Sequence, residues 1–127
     1  MNTVVPRLAQ APRWLAISVL FALMLSAGFA ADLDARARGA AAFQTKGCLR
    51  CHSITGAGGT RAPDLGSVGL RRSPAQIRRQ IVHGGHGMPP FGAVLGGRDI
   101  GDLVAFLSSC RSDQPPGCRT WKAPEKQ

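Results

Sequence analysis

Cys48 and Cys51 stand three residues apart in KGCLRCHS, and His52 follows the second cysteine at once. Two thiols and an imidazole at this spacing can clip a metal ion, cycle as a redox dithiol or anchor a porphyrin. Each reading makes a further demand on the chain. A structural zinc site wants four ligands, usually as two close pairs. Cys110 and Cys118 could offer a second pair, but seven residues lie between them and no strand-like pattern flanks either pair. A thioredoxin-like dithiol needs its motif inside a βαβ pattern, and the chain shows no strand-like alternation. Haem attachment asks only for C-x-x-C-H in an exported protein. The thiols then add across the two vinyl groups on one side of the ring, and the histidine comes to lie beneath the iron. On this reading Cys48 and Cys51 are thioether attachment points and His52 is the proximal ligand.

Iron held by His52 needs a partner on its other side. A soft thioether keeps haem low-spin and closed, and His/Met ligation raises its potential. Of three methionines, Met1 and Met24 lie in the first thirty residues, which leaves Met88 in GMPPF. Pro89 and Pro90 stiffen the chain just after it. Met88 is therefore the expected distal ligand. Packing alone, or ligation by His83 or His86, remain the alternatives; His83 falls at an expected helix end, and His86 is two residues from Met88.

Several elements must position these residues. The first thirty of the 127 residues read apart from the rest: Arg7 and Arg13 without an acid, an apolar run from Leu15 to Leu25, then small residues. This is the pattern of a secretory signal. Cleavage after Ala30 is expected, which would leave 97 residues. An uncleaved anchor is the alternative, since the uncharged stretch 14–31 is just at the lower edge for a span. The remainder reads as one domain over 31–109 with a tail over 110–127. A helix is expected over 32–47, capped by Asp32 or Asp34, with Leu33, Ala37, Ala40 and Phe43 along its stripe. A second is expected over 73–84, where Ser73, Pro74 and Gln76 make a capping box and Gly84 a stop. A third is expected over 98–110, with Ile100, Leu103, Val104, Phe106 and Leu107 inward. Glycine-rich loops over 53–69 and 85–97 join them. The fold class is thus all-α, three main helices around one covalent cofactor.

With these motifs in order, the chain resembles the class I c-type cytochromes of the short bacterial kind. GAAAFQTKGCLRCH is similar to that family's first helix and haem motif, GAGGTRAPDLGSVG to its proximal loop, IVHGGHGMPPFGAVL to its methionine loop and RDIGDLVAFL to its last helix. The resemblance runs from Gly39 to about Leu107. It implies the cytochrome c fold with one haem c, and first and last helices crossing at Gly39 with Phe43 and Phe106 packed there. It matches Met88 to the distal ligand. It matches Pro63 to the proline whose carbonyl accepts the second ring N–H of the proximal histidine. Arg61, two residues earlier, could reach a haem propionate.

Sixteen basic side chains against seven acidic give a net charge of +9, or +7 without Arg7 and Arg13. Arg71, Arg72, Arg78 and Arg79 cluster near the start of the middle helix, either as a solvated face or as a docking surface for an acidic redox partner. Nucleic acid is a poor partner, because no aromatic residues interleave with the arginines. In an oxidising compartment Cys110 and Cys118 suggest a disulfide that ties the tail, with Trp121, to the last helix. No paired carboxylates and no nucleophile–base set suggest catalysis. The expected function is that of a periplasmic one-electron carrier, monomeric or within a redox complex, and not an enzyme. The alternatives are a dedicated cytochrome subunit of a periplasmic dehydrogenase or oxidase, and a ligand-binding haem protein with a labile sixth site.

Overall fold

The computed structural model describes residues 13–111 together with Cys118, Trp121 and Lys122. The chain divides into two units, Met1–Ala31 and Asp32–Gln127. The elements in order are helix α1 (Arg13–Thr45), a 3-10 turn (Cys48–Arg50), strands β1 (Ser53–Ile54) and β2 (Ala57–Gly58), and helices α2 (Val68–Arg71), α3 (Pro74–His83) and α4 (Gly97–Ser109). Among the described residues no helix is long and apolar enough to cross a membrane.

The first helix departs from its expected start. Nothing between Trp14 and Ala31 breaks a helix: there is no proline, and alanine and leucine predominate. The helix therefore runs through the point where a cap at Asp32 or Asp34 is expected. The two aspartates instead pair one turn on, Asp32 with Arg36 and Asp34 with Arg38, as i,i+4 geometry favours. Leu33 and Ala37 do not join the buried stripe; Leu33 is 54% exposed. Burial begins at Gly39 and continues through Ala40, Ala42 and Phe43.

Gly39 marks where α1 crosses α4. A Cβ there would overlap the Asp102 carbonyl and come within 2.7 Å of the Phe106 Cβ. Only a residue without a side chain lets the two backbones approach so closely. Phe43 and Phe106 meet just beyond, ring centroids 5.9 Å apart. Trp121 from the tail adds a third ring, 6.0 Å from Phe43 edge-on and 6.1 Å from Phe106. Cys110 and Cys118 are bonded to each other and fully buried. Trp121 donates its backbone N–H to the Cys118 carbonyl at 2.9 Å, and Gln44 donates to the Lys122 carbonyl at 3.1 Å. The aromatic triad is thus closed by the tail. The turn expected over 111–117 lies largely outside the described residues.

Helix α3 begins as its sequence dictates. Ser73 Oγ accepts from the Gln76 N–H at 3.3 Å, and Gln76 Oε1 accepts from the Ser73 N–H at 2.9 Å. Pro74 fills the first turn, where its missing N–H costs nothing. Ile77 and Ile81 are its buried face. In α4 the buried face is Ile100, Leu103, Phe106 and Leu107, with Val104 only half-buried.

The segment expected as plain loop over 53–69 holds more order than its glycines suggest. β1 and β2 pair antiparallel, Ser53 with Gly58 and Ile54 with Ala57. The two residues between, Thr55 at φ 49° and Gly56 at φ 82°, make a primed hairpin turn. A short helix α2 then closes the segment. Among the described residues the layout is therefore helical with a minimal ladder, with four helices where three main ones are expected.

Candidate functional site

The turn at Cys48–Arg50 folds the C-x-x-C-H stretch back on itself. The Cys51 and His52 N–H groups donate to the Cys48 carbonyl at 3.2 and 3.0 Å. This puts both thiols and the imidazole on one compact turn. Glycine lets the following segment lie against it: the Gly59 N–H donates to the carbonyls of Leu49 at 2.8 Å and His52 at 3.0 Å. Cys48 and Cys51 are free thiols, half-buried. Burial pushes the Cys48 thiol up, which keeps it neutral rather than activated as a dithiol nucleophile would be. The other two cysteines are bonded to each other, so no second pair is left for a zinc site.

Among the described residues the His52 ring is held at one nitrogen. Its Nδ1 lies 2.8 Å from the Pro63 carbonyl oxygen. A carbonyl can only accept, so Nδ1 carries the proton and Nε2 keeps its lone pair for a metal. Two further bonds hold the proximal segment to the same turn, from the Ala62 N–H to the Cys51 carbonyl and from the Leu65 N–H to the Ser53 carbonyl, both 2.9 Å. Arg61 is exposed and donates from Nη2 to the Arg50 carbonyl at 3.3 Å.

Asp64 belongs to none of the motifs that spacing picks out, yet it is the hub of this loop. Its carboxylate accepts from Ser53 Oγ at 2.7 Å and from the backbone N–H groups of Gly56 at 2.8 Å, Gly66 at 2.8 Å and Thr55 at 3.2 Å. Burial pushes the carboxyl up, but the four donors together outweigh it and hold Asp64 below the usual carboxylate range. Asp two residues before Gly66 is an Asx-turn signal, and APDLG carries it in plain view.

Met88 belongs to a separate turn after α3. Gly85 and Met88 exchange both backbone bonds, at 2.9 and 3.0 Å. His86 at φ 53° and Gly87 at φ 84° are the two central residues, which makes a tight primed turn that ends on Met88. Phe91 and Gly92 then donate to the Ile81 and Val82 carbonyls at 3.0 and 3.1 Å, fastening the loop to α3. Met88 packs half-buried against the core, whereas His83 and His86 are exposed. The Gln80 amide reaches this turn as well, to the Gly85 carbonyl at 3.2 Å and to Met88 Sδ at 3.9 Å.

Among the arginines, Arg71 turns back onto Ser67 Oγ and the Asp64 carbonyl. Arg72, Arg78 and Arg79 are exposed. The structure thus gathers Cys48, Cys51, His52, Arg61 and Pro63 into one hydrogen-bonded knot and sets Met88 in its own braced turn.

Similarity to known proteins follows the same stretch. The family model described as cytochrome c oxidase, cbb3-type, subunit III, matches residues 34–107. A nitric oxide reductase subunit of Stutzerimonas stutzeri is 33% identical over 83 residues, a match that takes in 58% of this chain and 57% of that protein. The chain therefore spans little more than half the length of that relative. No solved structure matches.

Proposed function

This chain belongs to the family of the cbb3-type cytochrome c oxidase subunit III, c-type cytochromes with covalently bound haem c, and from that premise we propose that it is an exported one-electron transfer domain. The residues present fit the cofactor. Two free thiols on one turn could each add S–H across a vinyl group, with no oxidant or leaving group required. The single observation that carries the reading is the His52 to Pro63 bond, which fixes the tautomer with Nε2 available to iron. Bound there, haem supplies a reversible one-electron couple.

The chain's own residues do the rest. Cys48 and Cys51 would hold the ring, and His52 would give iron its Nε2. Met88 would supply its thioether sulfur to iron, from a turn closed by the Gly85–Met88 backbone bonds and stiffened by the two prolines that follow. Gln80 steadies the Met88 thioether. Arg61, which donates to the Arg50 carbonyl beside that turn, would be the partner of a propionate. With His52 and Met88 both on iron, a bound haem would leave substrates no open site, and its role would be electron transfer rather than catalysis. Residues 1–30 act as the export signal, which puts the domain in the periplasm. The exposed Arg72, Arg78 and Arg79 form the docking face for an acidic redox partner. The test is a redox titration of the exported protein. A single reversible one-electron wave is expected, and the absence of covalent haem would overturn the reading.

A second reading is favoured by the names of the matched proteins, each one part of a larger enzyme. On it the domain is the dedicated cytochrome of a respiratory complex, relaying electrons to one fixed partner. Affinity purification under mild conditions separates the two: a stoichiometric redox enzyme on the tagged chain supports the dedicated cytochrome, and an unaccompanied haem protein supports the carrier.

A further inference from the structure

We propose that Asp64 is a positioning residue for the proximal ligand: its carboxylate locks the segment that carries the Pro63 carbonyl onto the segment that follows His52. The inference rests on the haem-binding reading above and adds a third layer to it, iron ligand to carbonyl to carboxylate.

Two cross-links run side by side between the same pair of segments. His52 meets Pro63 through Nδ1 at 2.8 Å, and the next residue on each side, Ser53 and Asp64, meet through Oγ and Oδ2 at 2.7 Å. The second rung is anchored further. Asp64 Oδ1 takes the Gly66 N–H, which bends the chain just after the carbonyl, and both oxygens take N–H groups from the hairpin turn at Thr55 and Gly56. A backbone carbonyl has no side chain of its own to aim it. Here its direction is set by the peptide between Pro63 and Asp64, and the Asp64 side chain fixes that peptide from one end. A Cβ at Gly66 would press on Thr55 Cγ2 at 2.8 Å and on Asp64 Oδ1 at 3.0 Å, so a residue without a side chain is what lets the carboxylate and the hairpin turn close on this backbone.

Asp64 is itself exposed. Water can therefore replace its bonds to Ser53, Thr55, Gly56 and Gly66 at small cost in stability. What water cannot replace is the fixed direction of the Pro63 carbonyl. A looser bond at Nδ1 makes the imidazole a weaker donor to iron, which disfavours the oxidised state and raises the potential.

The experiment uses the holoprotein with Asp64→Ala, Asp64→Asn and Ser53→Ala, and Ile81→Ala as a core variant remote from this loop. Two readouts are taken: exchange of the His52 ring N–H with solvent, by NMR of the reduced protein, and the reduction potential. Asp64→Ala should speed exchange by about tenfold, the loss of one well-placed bond, and raise the potential. Asp64→Asn should fall between, since the amide keeps one accepting oxygen, and Ser53→Ala should move both readouts least. Ile81→Ala should lower thermal stability and leave the ring-proton exchange unchanged. Unchanged ring-proton exchange and potential in Asp64→Ala would overturn the proposal. If Asp64→Ala does not retain haem, the order of Asp64→Asn and Ser53→Ala decides on the same two readouts. Failure of the haem reading itself shows separately, in the wild-type protein, as no covalent haem.

Discussion

Arg38 donates to both oxygens of Asp102, from Nε at 2.7 Å and from Nη2 at 2.9 Å, and so staples α1 to α4 beside their closest approach. The same guanidinium reaches Asp34 at 2.6 Å. The Arg38 hydrogen bonds, chiefly, hold the Asp102 carboxyl below its ordinary value of 3.8. A carboxyl depressed by folding contributes stability that is fully present above its unfolded value and is lost as pH falls through its lower folded value. The pair should therefore stabilise the domain down to about pH 4 and fail below that. Asp102→Asn should lower stability at neutral pH and flatten the acid limb of the stability profile below about pH 4, as measured by denaturant unfolding across pH.

Gly39→Ala should cost about 1–3 kcal/mol, the usual penalty for forcing a group into a filled contact. The added methyl meets backbone at Asp102, which cannot rotate away. Chemical denaturation against wild type measures it. A loss well under about 1 kcal/mol would mean that the helices can slide apart at the crossing.

The disulfide closes a short loop, and replacing both Cys110 and Cys118 by serine should cost about 2–3 kcal/mol by the loop-closure relation. Trp121 should then leave Phe43 and Phe106, seen as a shift of tryptophan emission to the red. Mass spectrometry without reduction should find the pair bonded in the wild type; two free thiols there would contradict the link.

Reversing Arg78 and Arg79 to glutamate should slow electron transfer to an acidic partner and reduce its dependence on salt, without changing the visible spectrum. Arg71→Glu should instead disturb the proximal loop, because Arg71 is tied to Ser67 and Asp64.

The sequence makes the chemistry legible where residue type alone carries it. C-x-x-C-H, the capping box of Ser73 and Gln76, and the apolar face of α4 all depend on near neighbours, and each lies where its spacing says. The start of α1 is less legible, because Asp32 and Asp34 serve equally as caps or as i,i+4 partners, and only the uninterrupted helix before them decides. The hairpin at Thr55–Gly56 is hidden because two-residue strands have no period to detect. For Asp64 the Asx turn to Gly66 is legible in APDLG, but the hub is not. Its partners come from positions 53, 55, 56 and 66, and the loop must close before a short acidic side chain becomes a hub. Trp121 shows the same limit: its place in the aromatic triad depends on a disulfide and on a crossing 78 residues away at Phe43.

Met88→Ala should leave covalent haem in place and free the sixth position. His86, two residues away on the same turn, is the side chain best placed to fill it, so His86→Ala in the Met88→Ala background should give the more open site. Carbon monoxide affinity of the single and double variants measures the difference.

A haem bound to this chain should be closed on both sides, by His52 and by Met88. The most direct measurement is the visible spectrum of the reduced, exported protein before and after carbon monoxide. The expected result is c-type bands that carbon monoxide leaves unchanged in wild type and shifts in Met88→Ala. A shift in the wild type would contradict it and mark an open or labile sixth site.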